Sequence, residues 1–346
     1  MPAGAVGAHT QHVPKFLGGG RIGSHERPVP DPGAGELLLR VRANALCGTD
    51  RQQLRDGSAV TPGHETAGEV AVAGSGTSTP LGTRGVVFLM DYCGECRACR
   101  AGATNQCIAK RADMGFTHDG GLGQFELVHE TNFFATGPEL RAVDATLLLD
   151  VMGTTSHALA RASTVRPDIE SVLVAGAGPV GLGMVAITRL LLGPDVPIVV
   201  TDVQPYRLDL AERLGAVPVD LRRHRLADAL REIGISGGAD VAIDTAGREA
   251  ARRTLLDALG SRGVLVCVGH GEGLTMDISR DVIGRERTVM GSEYFRYDAL
   301  AANLDLLRRN RAYLGQIITH RFGAGDVEEA YRVFLAGETG KVVIEQ

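Results

Sequence analysis

A chain of 346 residues, 44% hydrophobic and 22% charged, is long enough for two domains with separate cores. Its net charge of -5 and its three scattered lysines, Lys15, Lys110 and Lys341, offer no basic stripe for nucleic acid. No run of about 18 apolar residues is free of charge, so no membrane span is expected. Residues 1–20 lack the basic and apolar blocks of a leader, so a cytoplasmic protein is expected.

Up to about residue 150 the chain is rich in glycine and in short β-type runs, at 36–42 (ELLLRVR), 68–73 (GEVAVA) and 85–89 (GVVFL). Turn signals at 30–33 (PDPG), 61–63 (TPG) and 74–76 (GSG) separate them, which predicts an all-β, barrel-like region. Residues 145–162 read as one helix. From residue 171 strands and helices alternate: strands at 171–175, 197–202, 217–220, 239–244 and 263–269, helices at 182–192 and 206–214. Such alternation predicts a parallel sheet with helices on both faces. The pattern shifts again after about residue 290 and closes on a strand at 341–345.

Gly176-Ala177-Gly178-Pro179-Val180-Gly181 gives G-x-G-x-x-G between a strand and a helix, the context a dinucleotide loop requires. The first glycine permits the tight turn, the second lets backbone approach a pyrophosphate, and the third lets helix and strand pack closely. Asp202 ends the next strand, 21 residues after Gly181, where an acid can take ribose hydroxyls and repel a 2′-phosphate. NAD is therefore favoured over NADP, although Arg207 nearby could accept a phosphate.

Four of the six cysteines fall within fifteen residues as Cys93-x2-Cys96-x2-Cys99-x7-Cys107. Four thiolates from one loop can close a tetrahedron around a structural Zn²⁺, and an iron–sulfur cluster or two disulfides would also use them. Cys47, His64 and Asp150 form a second set: one thiol, one imidazole and one carboxylate suit a zinc site with an open fourth position. Singly, Cys47 also reads as a small buried hydrophobe, His64 as a turn residue and Asp150 as a helix cap. Cys267, in an apolar strand, is expected in the core.

Taken together these motifs, with residues 30–50, Gly63-His64-Glu65, Asp119-Gly120-Gly121 and Gly340-Lys341-Val342-Val343-Ile344, resemble the medium-chain dehydrogenase/reductase superfamily in its zinc-dependent alcohol and polyol dehydrogenase branch. The resemblance spans nearly the whole chain. It implies an α/β fold: a GroES-like β-rich catalytic domain (1–152 and 290–346) interrupted by a Rossmann NAD-binding domain (153–289), with the active site in the cleft between them. It implies catalytic zinc on Cys47, His64 and Asp150, structural zinc on the four clustered cysteines, Glu65 able to approach the catalytic metal, and Asp50 orienting His64. By the same resemblance, zinc would lower the pKa of the alcohol, Thr49 would carry its proton away, and the nicotinamide would take the hydride.

The implied activity is NAD-linked oxidation of a secondary alcohol or polyol, or the reverse reduction. An amino-alcohol, aminocyclitol or threonine-type dehydrogenase would use the same machinery. A homodimer or homotetramer is expected, with a small-molecule substrate and neither nucleic acid nor membrane as partner. A non-catalytic relative would have lost a zinc ligand or a loop glycine, and a zinc-free quinone reductase would lack Cys47, His64 and the cysteine cluster; this chain keeps all of them. It departs from the pattern at Gln52, where liver-type relatives carry the histidine that ends the proton relay; water or His118 would have to serve. Arg51 and Arg55 are either substrate contacts or solvated arginines, and Leu89 and Met90 are expected along the pocket.

Overall fold

The computed structural model describes residues 10–346. The first nine residues, part of the stretch read above for a leader and of the first domain, lie outside the described residues.

Apolar runs too short for helices make the parallel sheet. Val172–Ala175, Ile198–Asp202 and Ala239–Asp244 are almost entirely buried, as strands covered by helices on both faces must be. Six strands pair in the spatial order Val217–Asp220, Ile198–Asp202, Val172–Ala175, Ala239–Asp244, Leu259–Cys267, Thr288–Gly291, all in parallel register. In chain order that is 3-2-1-4-5-6, the doubly wound Rossmann arrangement. The order reverses beside Val172–Ala175, so the crevice that can accept a ligand opens at the end of the strand that runs into Gly176.

The second body is a seven-stranded sheet in the order Ile318–Gly323, Lys341–Glu345, Glu36–Ala45, Thr66–Ala73, Arg84–Val87, Phe133–Ala135, with Phe125–His129 also paired to Glu36–Ala45. The last strand of the chain thus lies antiparallel to Glu36–Ala45, with Val343 opposite Ala45. Phe16, Leu46, Leu54, Tyr331, Phe334, Val342 and Ile344 pack into one cluster there, and Phe16 meets Tyr331 edge-on at 5.1 Å. The fold is the expected GroES-like sheet joined to a Rossmann domain.

The stretch expected as a single helix is broken. Ala142–Ala145 is α-helical, Thr146–Leu148 is a 3₁₀ turn, Leu149–Thr154 is a π turn, and Thr155–Val165 resumes the α-helix. Gly153 accounts for part of this: the ring of Phe295 lies so close that a Cβ there would sit 2.3 Å from it. Wide turns of this kind recur at functional sites, and this one carries Asp150. Elements absent from the sequence reading include the hairpin Thr10–Gly18/Arg21–Pro28 and the helices Asp50–Asp56, Leu226–Glu232, Glu249–Ala258, Ala299–Leu314 and Val327–Ala336.

Candidate active site

Cys47, His64 and Asp150 come from three separate segments and meet. Leu46 is held in the sheet by its amide on the Val342 carbonyl at 2.9 Å, and Ala45 by its amide on Glu65 at 3.0 Å, so Cys47 leaves the strand end beside the Gly63-His64-Glu65 turn. Gly63 makes that turn with φ +101°, and a Cβ on it would lie 2.8 Å from the amide nitrogen of Leu122. Asp150 approaches on the π turn. Cys47 Sγ lies 2.9 Å from Asp150 Oδ2, and His64 Nε2 lies 3.5 Å from the same oxygen.

The surrounding groups orient these three. Asp50 Oδ2 accepts from the Cys47 amide at 3.0 Å and from the Tyr331 hydroxyl at 2.9 Å. Its Oδ1 stands 3.4 Å from His64 Nδ1. A ring proton on Nδ1, facing Asp50, would leave the His64 Nε2 lone pair for a metal shared with Cys47 and Asp150. Phe116 covers the ring at 4.9 Å. Thr49 Oγ1 is 3.4 Å from His64 Nε2, which places a hydroxyl at the edge of the cluster. Glu65 is wholly buried, its Oε1 paired with Lys341 Nζ and its Oε2 without a partner among the described residues.

The cluster gathers three carboxylates, Asp50, Glu65 and Asp150, and the Cys47 thiol around one imidazole and one ammonium. Burial, and then the negative charge of Asp150, push the Cys47 thiol up to about 11. Burial also works to raise Asp150, but the hydrogen bond and charge of His64 hold it well below the usual carboxylate range. Ligand atoms of Cys47, His64, Glu65 and Asp150 all lie within 4.8 Å of one another. A thiol, an imidazole and carboxylates so converged, with a buried carboxylate oxygen left over, fit a zinc ion and would be costly without a cation.

The four-cysteine lobe is a second centre. Cys93, Cys96, Cys99 and Cys107 are all free thiols. Their Sγ–Sγ separations are 3.9 Å (Cys93–Cys99), 3.5 Å (Cys96–Cys99), 3.9 Å (Cys96–Cys107) and 3.5 Å (Cys93–Cys107). A disulfide needs about 2.05 Å, whereas a tetrahedron with Zn–S near 2.3 Å has edges of about 3.8 Å. The lobe therefore has the dimensions of a single tetrahedral ion. Amides of Glu95 and Cys96 point at Cys93 Sγ (3.4 and 3.3 Å), and that of Cys99 at Cys96 Sγ (3.5 Å). Backbone amides of Cys99 and Ile108 bring the Cys96 thiol down to about 6, toward the thiolate a metal needs.

At the dinucleotide loop, Gly176 has φ +92°, and a Cβ on Gly181 would lie 1.8 Å from the Gly176 carbonyl oxygen, so both glycines are obligatory. Gly178 is open to the cleft, Pro179 opens the helix Pro179–Leu192, and Val180 sits half-buried in its first turn. Asp202 Oδ2 accepts from the Ala177 amide at 2.6 Å, tying the ribose-side acid to the phosphate loop; its Oδ1 takes the amides of Val203 and Gln204. Arg207 donates through Nε to the Thr339 carbonyl at 3.1 Å and reaches past Gly178. Burial lowers its pKa, Asp202 opposes that, and the nearby charge of Arg51 adds to it.

Arg51 lies on the cofactor side, its guanidinium 5.6 Å over the Phe334 ring, while Arg55 is a solvated partner of Asp56. His118 is exposed and hydrogen-bonded to Thr117, and Gln52 is exposed. Leu89 and Met90 are buried, and the Leu89 amide meets the Tyr294 hydroxyl at 3.3 Å. Cys267, the last residue of its strand, is half-buried and packs against a core cluster of the parallel sheet. Lys341, Tyr331 and Tyr294 were not singled out from the sequence. A lysine opening an otherwise apolar strand was the one available signal, and aromatic residues in helices or loops gave none.

A two-metal-centre, two-domain architecture with a dinucleotide loop at the cleft defines a zinc-dependent, nicotinamide-linked oxidoreductase. Comparison with known proteins agrees. The alcohol dehydrogenase GroES-like domain matches residues 33–138, and the zinc-binding dehydrogenase family matches residues 179–309. An L-threonine 3-dehydrogenase of Rhizobium johnstonii is 31% identical over 336 residues, covering 92% of this chain and 93% of that protein. A zinc-binding dehydrogenase of Sinorhizobium meliloti 1021, solved with NADP, is 27% identical with a TM-score of 0.85 and covers 98% of this chain and 100% of that one. An alcohol dehydrogenase of Escherichia coli CFT073, solved with NADH, shares the fold at TM-score 0.88 and 22% identity, covering 98% and 100%. The chain belongs to the zinc-binding dehydrogenase family and is an oxidoreductase acting on CH–OH groups with NAD or NADP.

Proposed function

We propose that the protein is an NAD-linked secondary-alcohol or polyol dehydrogenase in which Cys47, His64 and Asp150 hold the catalytic zinc and Cys93, Cys96, Cys99 and Cys107 a structural one. The observation that carries the reading is the meeting of Cys47 Sγ, His64 Nε2 and Asp150 Oδ2 at 2.9 and 3.5 Å from three distant segments. We divide the chain into a catalytic domain (1–152 and 290–346) and a cofactor domain (153–289). Gly176, Gly178, Pro179, Val180 and Gly181 would seat the pyrophosphate at a helix N-terminus. Asp202, with Arg207 beside it, would take the adenosine ribose and disfavour a 2′-phosphate.

When bound, zinc supplies Lewis-acid polarisation of the substrate oxygen and the nicotinamide accepts or gives the hydride. The chain's own residues do the rest. Thr49 Oγ1, beside His64 Nε2, takes the proton of the substrate hydroxyl and releases it to solvent past the exposed Gln52. Asp50, fixed by Tyr331, keeps His64 in one tautomer. Phe116, Leu89 and Met90 keep water from the reacting carbon.

A second reading, oxidation of a β-hydroxy amino acid or amino alcohol, is supported by the relatives named L-threonine 3-dehydrogenase and by Glu293, a carboxylate held by His270 at 3.3 Å at the cleft. A homodimer or homotetramer would use the open edge strand Thr288–Gly291 of the parallel sheet. Among the described residues no helix is long and apolar enough to cross a membrane. The free, clustered thiols suit a cytoplasmic location.

The test is metal content per chain together with NAD reduction across secondary alcohols, polyols and L-threonine. Two zinc ions and turnover support the reading. One zinc and no turnover would mean that the Cys47–His64–Asp150 centre holds no catalytic metal.

A further inference from the structure

Tyr294 lies where the chain leaves the parallel sheet after Thr288–Gly291 and heads for the helix Ala299–Leu314. Among the described residues three non-glycine residues have positive φ: Arg262, Glu286 and Tyr294. Arg262 is an exposed residue within the strand Leu259–Cys267 and Glu286 an exposed turn residue, whereas Tyr294, at φ +44°, is 6% exposed. A bulky side chain in the left-handed region is strained and persists only where its surroundings force it.

The surroundings do so from both sides. Asn105 Nδ2, in the four-cysteine lobe, donates to the Glu293 carbonyl at 2.7 Å, and the Tyr297 amide donates to Thr104 Oγ1 at 2.8 Å. On the other side the Phe295 ring packs on Gly153, three residues beyond Asp150 in the π turn. Tyr294 is thus clamped between the cysteine lobe and the segment that presents Asp150, its ring 5.1 Å from Phe88 and 4.2 Å from Phe295.

The hydroxyl is where the constraint has chemical content. It accepts the Leu89 amide at 3.3 Å, and its own hydrogen meets no acceptor among the described residues. Buried tyrosine hydroxyls ordinarily find a partner. Burial, and after it the negative charges of Asp150, Glu65 and Cys47, keep this phenol well above its usual pKa, so it stays a neutral donor. The unused capacity is a single O–H, and what satisfies it must offer a lone pair. An alcohol or carbonyl oxygen does; an ammonium group, a donor only, does not.

Resting on the dehydrogenase reading above, we infer that Tyr294 is a specificity-determining residue whose hydroxyl donates to a second oxygen on the carbon beside the reacting carbinol, so that the enzyme selects vicinal diols and their hydroxyketones over simple secondary alcohols and amino alcohols. The reacting oxygen stays with the Cys47–His64–Asp150 centre, and Tyr294 reads its neighbour.

The test compares 2,3-butanediol, 2-butanol and 3-amino-2-butanol as substrates of the zinc-loaded protein with NAD. The dissociation constants of the first two are also measured by calorimetry in the presence of NADH. Wild type is expected to prefer the diol. Tyr294→Phe, which keeps the ring packing, is expected to lose about tenfold in kcat/KM and in affinity for the diol while 2-butanol changes less than twofold. Asn105→Ala, which releases the Glu293 carbonyl, is expected to shift the ratio in the same direction with both metals retained. Equal change for diol and mono-alcohol, or no change for the diol, overturns the assignment of Tyr294 while leaving the dehydrogenase reading intact. A wild type that oxidises none of the three overturns both.

Discussion

Lys341 and Glu65 form an ion pair in which neither side chain is exposed to solvent, joining the last strand to the turn that carries His64. Burial works against the Lys341 ammonium, but the negative charges of Glu65, Cys47 and Asp150 outweigh it and hold its pKa above the usual value. Removing one member of such a pair leaves the other charged and dry, which costs roughly 3–5 kcal/mol. Lys341→Met is expected to lose that much in urea unfolding, and the double variant Lys341→Met/Glu65→Gln to regain most of it. A double variant no more stable than the single one would mean that Lys341 acts through packing alone.

The two metal centres are expected to separate activity from stability. Cys96→Ala opens a lobe that has little apolar core of its own, and a structural zinc site carries folding energy. Its zinc content should fall by one, and its Tm by several degrees, at roughly 2–4 °C per kcal/mol for chains somewhat shorter than this. Cys47→Ala should also lose one zinc, and turnover by at least about a thousandfold (roughly 4 kcal/mol in the transition state), while its Tm moves little. Equal drops in Tm for the two variants would refute this division.

Cofactor choice turns on Asp202. Its two oxygens hold the amides of Ala177, Val203 and Gln204, which fixes the carboxylate in the position we propose for binding the ribose 2′-hydroxyl. Asp202→Gly is expected to lower the NAD/NADP ratio of kcat/KM by at least about tenfold, or roughly 1.4 kcal/mol, with Arg207 left to meet the 2′-phosphate. An unchanged ratio would place the ribose elsewhere.

The sequence disclosed the parts of this site that local spacing encodes. Cysteine spacing located the lobe, G-x-G-x-x-G with an acid at the next strand end located the cofactor loop, and strands such as 217–220, 239–244 and 341–345 were read at their observed bounds. What stayed hidden depends on contacts distant in the chain. Asp150 was legible as a residue, but the π turn that aims it answers to Phe295, and residues 145–162 alone read as plain helix. Lys341 reads as a surface lysine until Glu65 is placed opposite it. Arg21–Pro28 is polar and largely exposed, with no alternation to mark it as a strand. Positive φ at Tyr294 has no sequence signature at all.

Glu126 gives the fold its own dependence on pH, apart from the metal centres. It lies in Phe125–His129 opposite Leu39, 1% exposed, with neither carboxylate oxygen hydrogen-bonded among the described residues. Burial raises its pKa from 4.5 to about 8; Thr66 opposes the rise and the charge of Asp119 adds to it. Below pH 4.5 both folded and unfolded chains carry this proton; between 4.5 and about 8 only the folded chain does. The folded state therefore binds more protons across that window, and stability falls as pH rises, by up to about 1.4 kcal/mol per unit and a few kcal/mol in all. Glu126→Gln keeps the shape and cannot ionise. It is expected to match wild type near pH 5 and to exceed it near pH 8 in the denaturant midpoint. Parallel pH profiles for the two proteins would show that Glu126 is ionised in the fold and that its charge is met by a group other than those named here.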